Sequence, residues 1–344
     1  MADRVGRLTL QAAALAAAAG LAGPYALDLV PGGRNNRTFV LHTADGRAFL
    51  KAYFKHPGDP RDRLGAETAL LAHASALGVT NVPKLLAMDV RAGLALFCFV
   101  EGRRLGPGEI AWPQVEAAAD LYLGLNQRPV VLAEASEACF SLAAHLDCID
   151  RRVERLNRAA AAGLLRPVGA RFVRDDLGPA WRSLRGNILD AAPRLLGASW
   201  NIPLPAAHRR VSPSDFGFHN ALLTPEGGLV FCDFEYAGMD DPAKMVCDFF
   251  CQPEVPVPLD LLPRFLERTA EASAADTSLP ARAELLLPAY GVKWCCIMLN
   301  DFLPEGAARR RFAAGDDDQG RQDRQLALAR NTLLECIDTT RWPK

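Results

Sequence analysis

A change of hydrophobic period near Gly102 divides the 344-residue chain. Side chains repeat every second residue along a strand and about every 3.6 along a helix, so the two patterns bury different faces. Before Gly102 the period is short. Tyr25–Val30, Arg37–Thr43, Ala48–Phe54, Val82–Met88 and Leu94–Val100 read as five strands. Residues 31–36 and 89–93 are turn clusters, and Ala44-Asp45-Gly46 carries the Asp-Gly hairpin signal. One helix interrupts the strands. Asp59 suits its N-cap and Pro60 its first turn, Leu64, Leu70, Leu71, Ala74 and Leu77 form its apolar stripe, and Gly78 ends it.

Beyond Gly102 the stretches Trp112–Gln127, Ser136–Ala162, Asp176–Leu196, Leu261–Ala275, Ala281–Phe302 and Arg321–Ile337 have helical composition. A strand-rich island, Val211–Cys232, breaks the series. The expected fold class is α+β. Residues 1–102 form a five-stranded antiparallel N-lobe with a leading helix, and residues 103–344 a mainly helical C-lobe. A cleft between such lobes is a natural ligand site.

Bulk properties exclude several classes. The net charge is −1, so no basic field recruits nucleic acid or an anionic membrane. The nine cysteines have no CxxC spacing and sit in apolar runs such as Phe97-Cys98-Phe99, as expected of reduced core thiols in a cytoplasmic protein. Residues 8–27 are uncharged and follow Arg4 and Arg7, but the run is mostly Ala and contains Gln11, Gly20, Gly23 and Pro24. It reads as a helix packed on the fold, too weakly apolar for a signal peptide or membrane span.

The chemistry concentrates in the island. Ala221-Leu222-Leu223 and Leu229-Val230-Phe231-Cys232 flank a turn holding Pro225 and Gly227-Gly228, a hairpin signature. A register symmetric about the turn sets Leu222 opposite Phe231 and Asn220 opposite Asp233. Facing Cβ atoms then lie about 5 Å apart. An amide oxygen and a carboxylate converge there, as magnesium requires when water and phosphate complete its shell. Asp215, on the adjoining loop, adds a third polar group. Asp and Asn also serve as turn formers and caps, but three such groups in an apolar frame favour a site. Asp240-Asp241-Pro242 fits a cap for a helix starting near Pro242.

Lys51 lies among Phe49, Leu50, Ala52 and Tyr53, and Glu67 falls on the apolar stripe of the helix. Buried charges need partners, so the two point to each other, with the ammonium placed to grip phosphate. The opposing reading is an edge-strand lysine in solvent and a glutamate at a helix rim. Gly32-Gly33-Arg34-Asn35-Asn36 lies between two strands, where glycines let backbone amides approach phosphates. It is neither a Walker loop nor a Rossmann fingerprint, because a strand follows where both need a helix.

In order, the chain presents a glycine-rich hairpin, strand Lys, helix Glu, Asp-x4-Asn loop and a final Asp. It thus resembles the protein-kinase-like fold, and within it the aminoglycoside phosphotransferase and choline-kinase-like family. Asp233-Phe234-Glu235-Tyr236-Ala237-Gly238 is similar to the family's Asp-Phe-Glu-x-Ala-Gly segment, and Asp241-Pro242 to its Asp-Pro. The resemblance spans about residues 25–248. Two departures mark a divergent subgroup: Pro213-Ser214 stand where the family usually has His-Gly, and residues 243–247 separate Pro242 from Asp248.

The resemblance implies ATP and Mg2+ as cofactors. Asp215 would orient the acceptor hydroxyl and take its proton, while Asn220 and Asp233 hold magnesium. Lys51, positioned by Glu67, would bind the α- and β-phosphates, with Gly32, Gly33 and Asn35 in the phosphate turn. Phe97, Cys98 and Val100 would line the adenine pocket, backbone groups near the last two giving hinge hydrogen bonds. The expected activity is γ-phosphoryl transfer to a hydroxyl of a small molecule such as a sugar, amino sugar or amino alcohol. A nucleotide-binding pseudokinase acting as regulator or scaffold, and a nucleotidyl transferase, are the competing readings. For the acceptor, Trp112 and Trp294 are candidate stacking groups or core aromatics. Lys293, Asn300 and Asp301 are candidate contacts or ordinary helix surface, and Phe216 and His219 lie on the catalytic loop.

Overall fold

Five strands build the amino-terminal sheet: β1 (Ala26–Val30), β2 (Arg37–Thr43), β3 (Gly46–Ala52), β4 (Leu85–Asp89) and β5 (Leu94–Cys98). The structure, a computed structural model, describes residues 2–31, 36–56, 59–273, 275–303 and 319–338. The sheet is antiparallel with strand order β1-β2-β3-β5-β4, so β3 is central. Ala44 and Asp45 turn β2 into β3, with Thr43 facing Gly46. The leading helix α1 (Ala2–Ala18) sets Ala12, Leu15 and Ala16 against Leu41, Ala48, Leu50, Leu94 and Leu96. This apolar layer accounts for the alanine-rich run as a packed helix. Among the described residues no helix is long and apolar enough to cross a membrane.

Helix α2 (Arg63–Ala76) starts later than its sequence signals indicate. Asp62 is its N-cap, accepting the Gly65 amide at 2.9 Å. Asp59 is engaged instead by Arg61 at 2.6 and 2.8 Å and by Arg63 at 2.6 Å. Two guanidinium partners satisfy a carboxylate more strongly than a helix amide does.

Contacts divide the described residues into two units, residues 2–104 with 220–236, and residues 105–219, 237–303 and 319–338. The first unit therefore includes β6 (Arg103–Arg104) and the hairpin β8 (Ala221–Leu223) and β9 (Leu229–Phe231). The Phe231 amide bonds Asn81 O at 2.9 Å.

The hairpin register differs by one residue from the symmetric expectation. Leu222 faces Val230 and Ala221 faces Phe231, so Asn220 falls opposite Cys232, whose amide bonds Asn220 O at 2.9 Å. The cause is the turn. Thr224 pairs with Gly228 around Pro225-Glu226-Gly227, and Gly227 takes φ +84°. Three-residue hairpin loops need a left-handed residue at that place, and glycine supplies it.

The second unit is helical: α3 (Trp112–Leu125), α4 (Leu142–Ala161), α5 (Pro167–Arg171), α6 (Gly178–Leu196), α7 (Pro242–Cys251), α8 (Leu262–Ala270), α9 (Leu279–Met298) and α10 (Gln319–Ile337). A π-helical turn, Phe172–Leu177, joins α5 to α6. Helix α9 is buried on nearly every side, packed by α4, α6, α7 and α10. Strand β7 (Arg210–Ser212) pairs with β10 (Gly238–Asp240), a strand without sequence signal. Asp241 caps α7 by accepting the Ala243 amide at 2.8 Å, as Asp-Asp-Pro indicates.

Candidate active site

Lys51 projects from the central strand, opposite Thr38 on one side and Ala95 on the other. It is therefore no edge-strand lysine. The side chains of Lys51 and Glu67 are each 5% exposed, and Lys51 Nζ donates to Glu67 Oε2 at 2.7 Å. The ammonium also contacts Asp233, whose side chain is 39% exposed. Burial lowers the Lys51 pKa, but the carboxylates of Asp233 and Glu67 outweigh it and hold it well above the ordinary lysine range. The ammonium thus stays charged.

Glu67 is a hub. The Tyr53 hydroxyl donates to Oε2 at 2.6 Å and the Phe234 amide to Oε1 at 3.3 Å. Burial, then the Glu67 charge, pushes the Tyr53 phenol far up, so it remains a donor. Tyr53 was not among the sequence candidates. Its signal was its place two residues past Lys51 in an extended stretch, where side chains return to the same face.

Asp233 adopts φ +68°, a left-handed conformation that disfavours most residues but is tolerated by Asp and Asn. After it, Glu235 is buried, accepts Asn36 Nδ2 at 2.6 Å, and lies 3.5 Å from Arg63 Nε. Burial and the Asp233 charge push its carboxyl up, against Lys51, Asn36 and Arg63. In the same unit, Asn220 precedes β8 with its carbonyl engaged by Cys232.

Phe97 is buried in β5, and Cys98 is half-buried with its amide bonded to Lys84 O at 2.9 Å. That amide is therefore already engaged by the residue just before β4. Val100, half-buried, follows the end of β5. Gly32, Gly33 and Asn35, with Arg34, lie outside the described residues.

In the second unit Ser214 and Asp215 both adopt left-handed φ, +48° and +46°. His219 Nε2 lies 3.4 Å from Asp215 Oδ1, and the His219 ring meets Trp294 edge-on at 6.2 Å. Phe216 is buried and stacks on Phe249 at 5.2 Å. Trp294 is buried, and Trp112 is half-buried beneath the Arg264 guanidinium at 3.7 Å.

Lys293 is no helix-surface residue. It is buried, with Nζ bonded to both oxygens of Asp248 at 2.7 and 2.8 Å. Asp301 is likewise buried, 3.3 Å from Arg321 Nε, and Asn300 accepts from Arg155. Burial is the physical reason for Lys293: α9 passes through the middle of the unit, so this charge is paired internally.

A second buried network adjoins this one. Arg282 grips Asp241 through two bonds of 2.8 Å and Asp276 at 2.7 Å. His145 Nε2 lies 3.1 Å from Asp241, and Lys244 donates to Asp240 at 2.7 Å. The pair Asp240-Asp241 thus anchors α4, α7 and α9, a role the sequence showed only as a helix cap.

Comparisons to known proteins bear on the family and the fold. A model of the phosphotransferase enzyme family matches residues 27–286, well over half of the chain, and the protein belongs to that family. Among solved structures it is similar to choline kinase LicA from Streptococcus pneumoniae, with TM-score 0.55 and 16% identity over 90% of this chain and 93% of that one. A choline kinase from Cryptosporidium parvum gives TM-score 0.57 and 12% identity over 92% and 91%. A spectinomycin phosphotransferase in complex with ADP and spectinomycin gives 0.53 and 10% over 93% and 91%. These likenesses establish a kinase-like fold. No match is found among curated proteins.

Proposed function

We propose that the protein is an ATP- and magnesium-dependent phosphotransferase that moves the γ-phosphoryl group to a hydroxyl of a small molecule. The observation that carries this reading is the buried Lys51–Glu67 pair joined to Asp233. One ammonium there faces two carboxylates, and Asp233 is the more exposed of the two. That donor set fits magnesium, which needs few protein oxygens and completes its shell with phosphate and water. Asn220 and Asp233 are the residues that would hold it. When bound, the ion would neutralise charge on the β- and γ-phosphates.

Lys51, fixed by Glu67, binds the α- and β-phosphate oxygens. Gly32, Gly33 and Asn35 offer backbone amides to the phosphates. Phe97 and the stretch from Cys98 to Val100 line the adenine pocket. Asp215 orients the acceptor hydroxyl and takes its proton as that oxygen bonds to the γ-phosphorus. The bond from phosphorus to the β–γ bridging oxygen breaks, and ADP leaves. No phosphoenzyme is needed. Residues 1–102 serve as the ATP-binding lobe and residues 103–344 as the catalytic and substrate-binding lobe. Similar structures named for choline and spectinomycin support a small hydroxyl-bearing acceptor. Nine free cysteines fit a reducing compartment such as the cytoplasm.

The test incubates wild type and Asp215→Asn with ATP, magnesium and a pooled library of hydroxyl-bearing metabolites, read by mass spectrometry. A phosphoryl mass increment made only by wild type supports the reading and names the acceptor. A nucleotidyl increment supports the transferase alternative. ATP binding without product supports the pseudokinase, and no ATP binding at all overturns the proposal.

A further inference from the structure

The left-handed backbone of Asp233 holds only if its surroundings fix it. On one side they are plain: Glu67 accepts the Phe234 amide. On the other side stands Glu235, which is 1% exposed and which phosphoryl transfer as described above does not use. Its Oε2 accepts Asn36 Nδ2 at 2.6 Å and lies 3.5 Å from Arg63 Nε. Asn36 Oδ1 in turn accepts the Phe54 amide at 3.1 Å. Arg63 donates to Phe54 O at 3.2 Å and to Asp59 at 2.6 Å, and its guanidinium lies over the rings of Phe54 and Tyr236 at 5.9 and 5.8 Å.

We propose that Glu235 is a positioning residue, whose buried carboxylate fastens the Asp233 segment to the start of β2, the end of β3 and the first turn of α2. Its importance for catalysis rests on the reading of Asp233 as a metal ligand. The two carboxylates divide the work. Asp233 is partly exposed and contacts the Lys51 ammonium, whereas the Glu235 oxygen that bonds Asn36 also neighbours a guanidinium. The tether is made wholly of groups of this chain: Glu235, Asn36, Arg63 and the Phe54 backbone.

The test compares Glu235→Ala, Glu235→Gln and Asn36→Ala with wild type. Amide hydrogen exchange is read without ligand, and kcat and KM with it. Glu235→Ala is expected to speed exchange at Phe54, and Asn36→Ala at residues 234–236, each by roughly tenfold or more. Both lower kcat while the acceptor KM stays put, and the double variant is no worse than the poorer single. Glu235→Gln keeps the acceptor for Asn36 and recovers most of the protection and rate. The idea is overturned if Glu235→Gln is as damaging as Glu235→Ala while Asn36→Ala is silent, which marks Glu235 as a metal ligand. Unchanged exchange in both truncations also overturns it. Exchange needs no activity, so it decides the tether even if wild type transfers no phosphate. If Glu235→Ala does not fold, Asn36→Ala carries the test.

Discussion

Asp241 shows how a single residue ties folding to pH. Burial raises its pKa, but His145 and the Arg282 fork outweigh this and bring it from 3.8 to about 2. A carboxyl depressed on folding contributes stability above its unfolded pKa and loses it as pH falls through the folded value. The contribution is therefore complete near pH 5 and disappears through about pH 2. A shift of this size corresponds to about 2 kcal/mol. Asp241→Asn should flatten the acid limb of the stability curve in that interval, measured by urea unfolding at stepped pH. An unchanged slope between pH 4 and 2 would show that other carboxyls set the acid limit. Truncation to Ala goes further, since it deprives buried Arg282 of its two-bond partner and should cost about 3–5 kcal/mol.

At the scale of elements, legibility followed local signals. Strands β2 and β3 and helices α3, α6 and α10 were visible within a few residues, because period, turn glycines and caps are local. The pairing of Lys51 with Glu67 was visible because a charge in an apolar stripe demands a partner. Nothing local announced β10, which exists because Gly238–Asp240 lies against β7. Nor did anything announce that Asp59 would be held by two arginines and leave the cap to Asp62. The one-residue slip of the β8–β9 hairpin came from the turn's loop type, which symmetric counting ignores. Gly238 makes a sharper test. Its φ is +159°, and a Cβ there would meet Ala133 O and Ala135 N at 2.5 Å, both rigid backbone. Gly238→Ala should destabilise by about 1–3 kcal/mol through overpacking, visible as a lower denaturant midpoint by circular dichroism. A wild-type midpoint would mean residues 133–135 shift freely.

For the whole molecule, binding and folding share one equilibrium. A ligand that binds only the folded chain at a hundred times its dissociation constant adds about 2.7 kcal/mol. ATP with magnesium should therefore raise the melting temperature, and EDTA should remove most of the gain. Lys51→Met should abolish the shift, while adding its own destabilisation by leaving Glu67 with an unpaired buried charge. A ligand-independent melting temperature in wild type would contradict nucleotide binding altogether. The reach of the sequence was shorter here. The nine cysteines were legible as free thiols. The internal pairing of Lys293 with Asp248 was not, because it depends on α9 being wrapped on all sides by helices distant in the chain.

The left-handed backbone at Asp215 and Asp233 bears on how this protein can drift. Aspartate and asparagine are the side chains that best tolerate that conformation after glycine, and their codons differ by one transition at the first base. If Asp215 and Asp233 carry the proposed chemistry, its loss at either position is thus a single mutational step to a residue that tolerates the same backbone conformation. On the proposed function, a silent descendant therefore lies one base change away from the active chain.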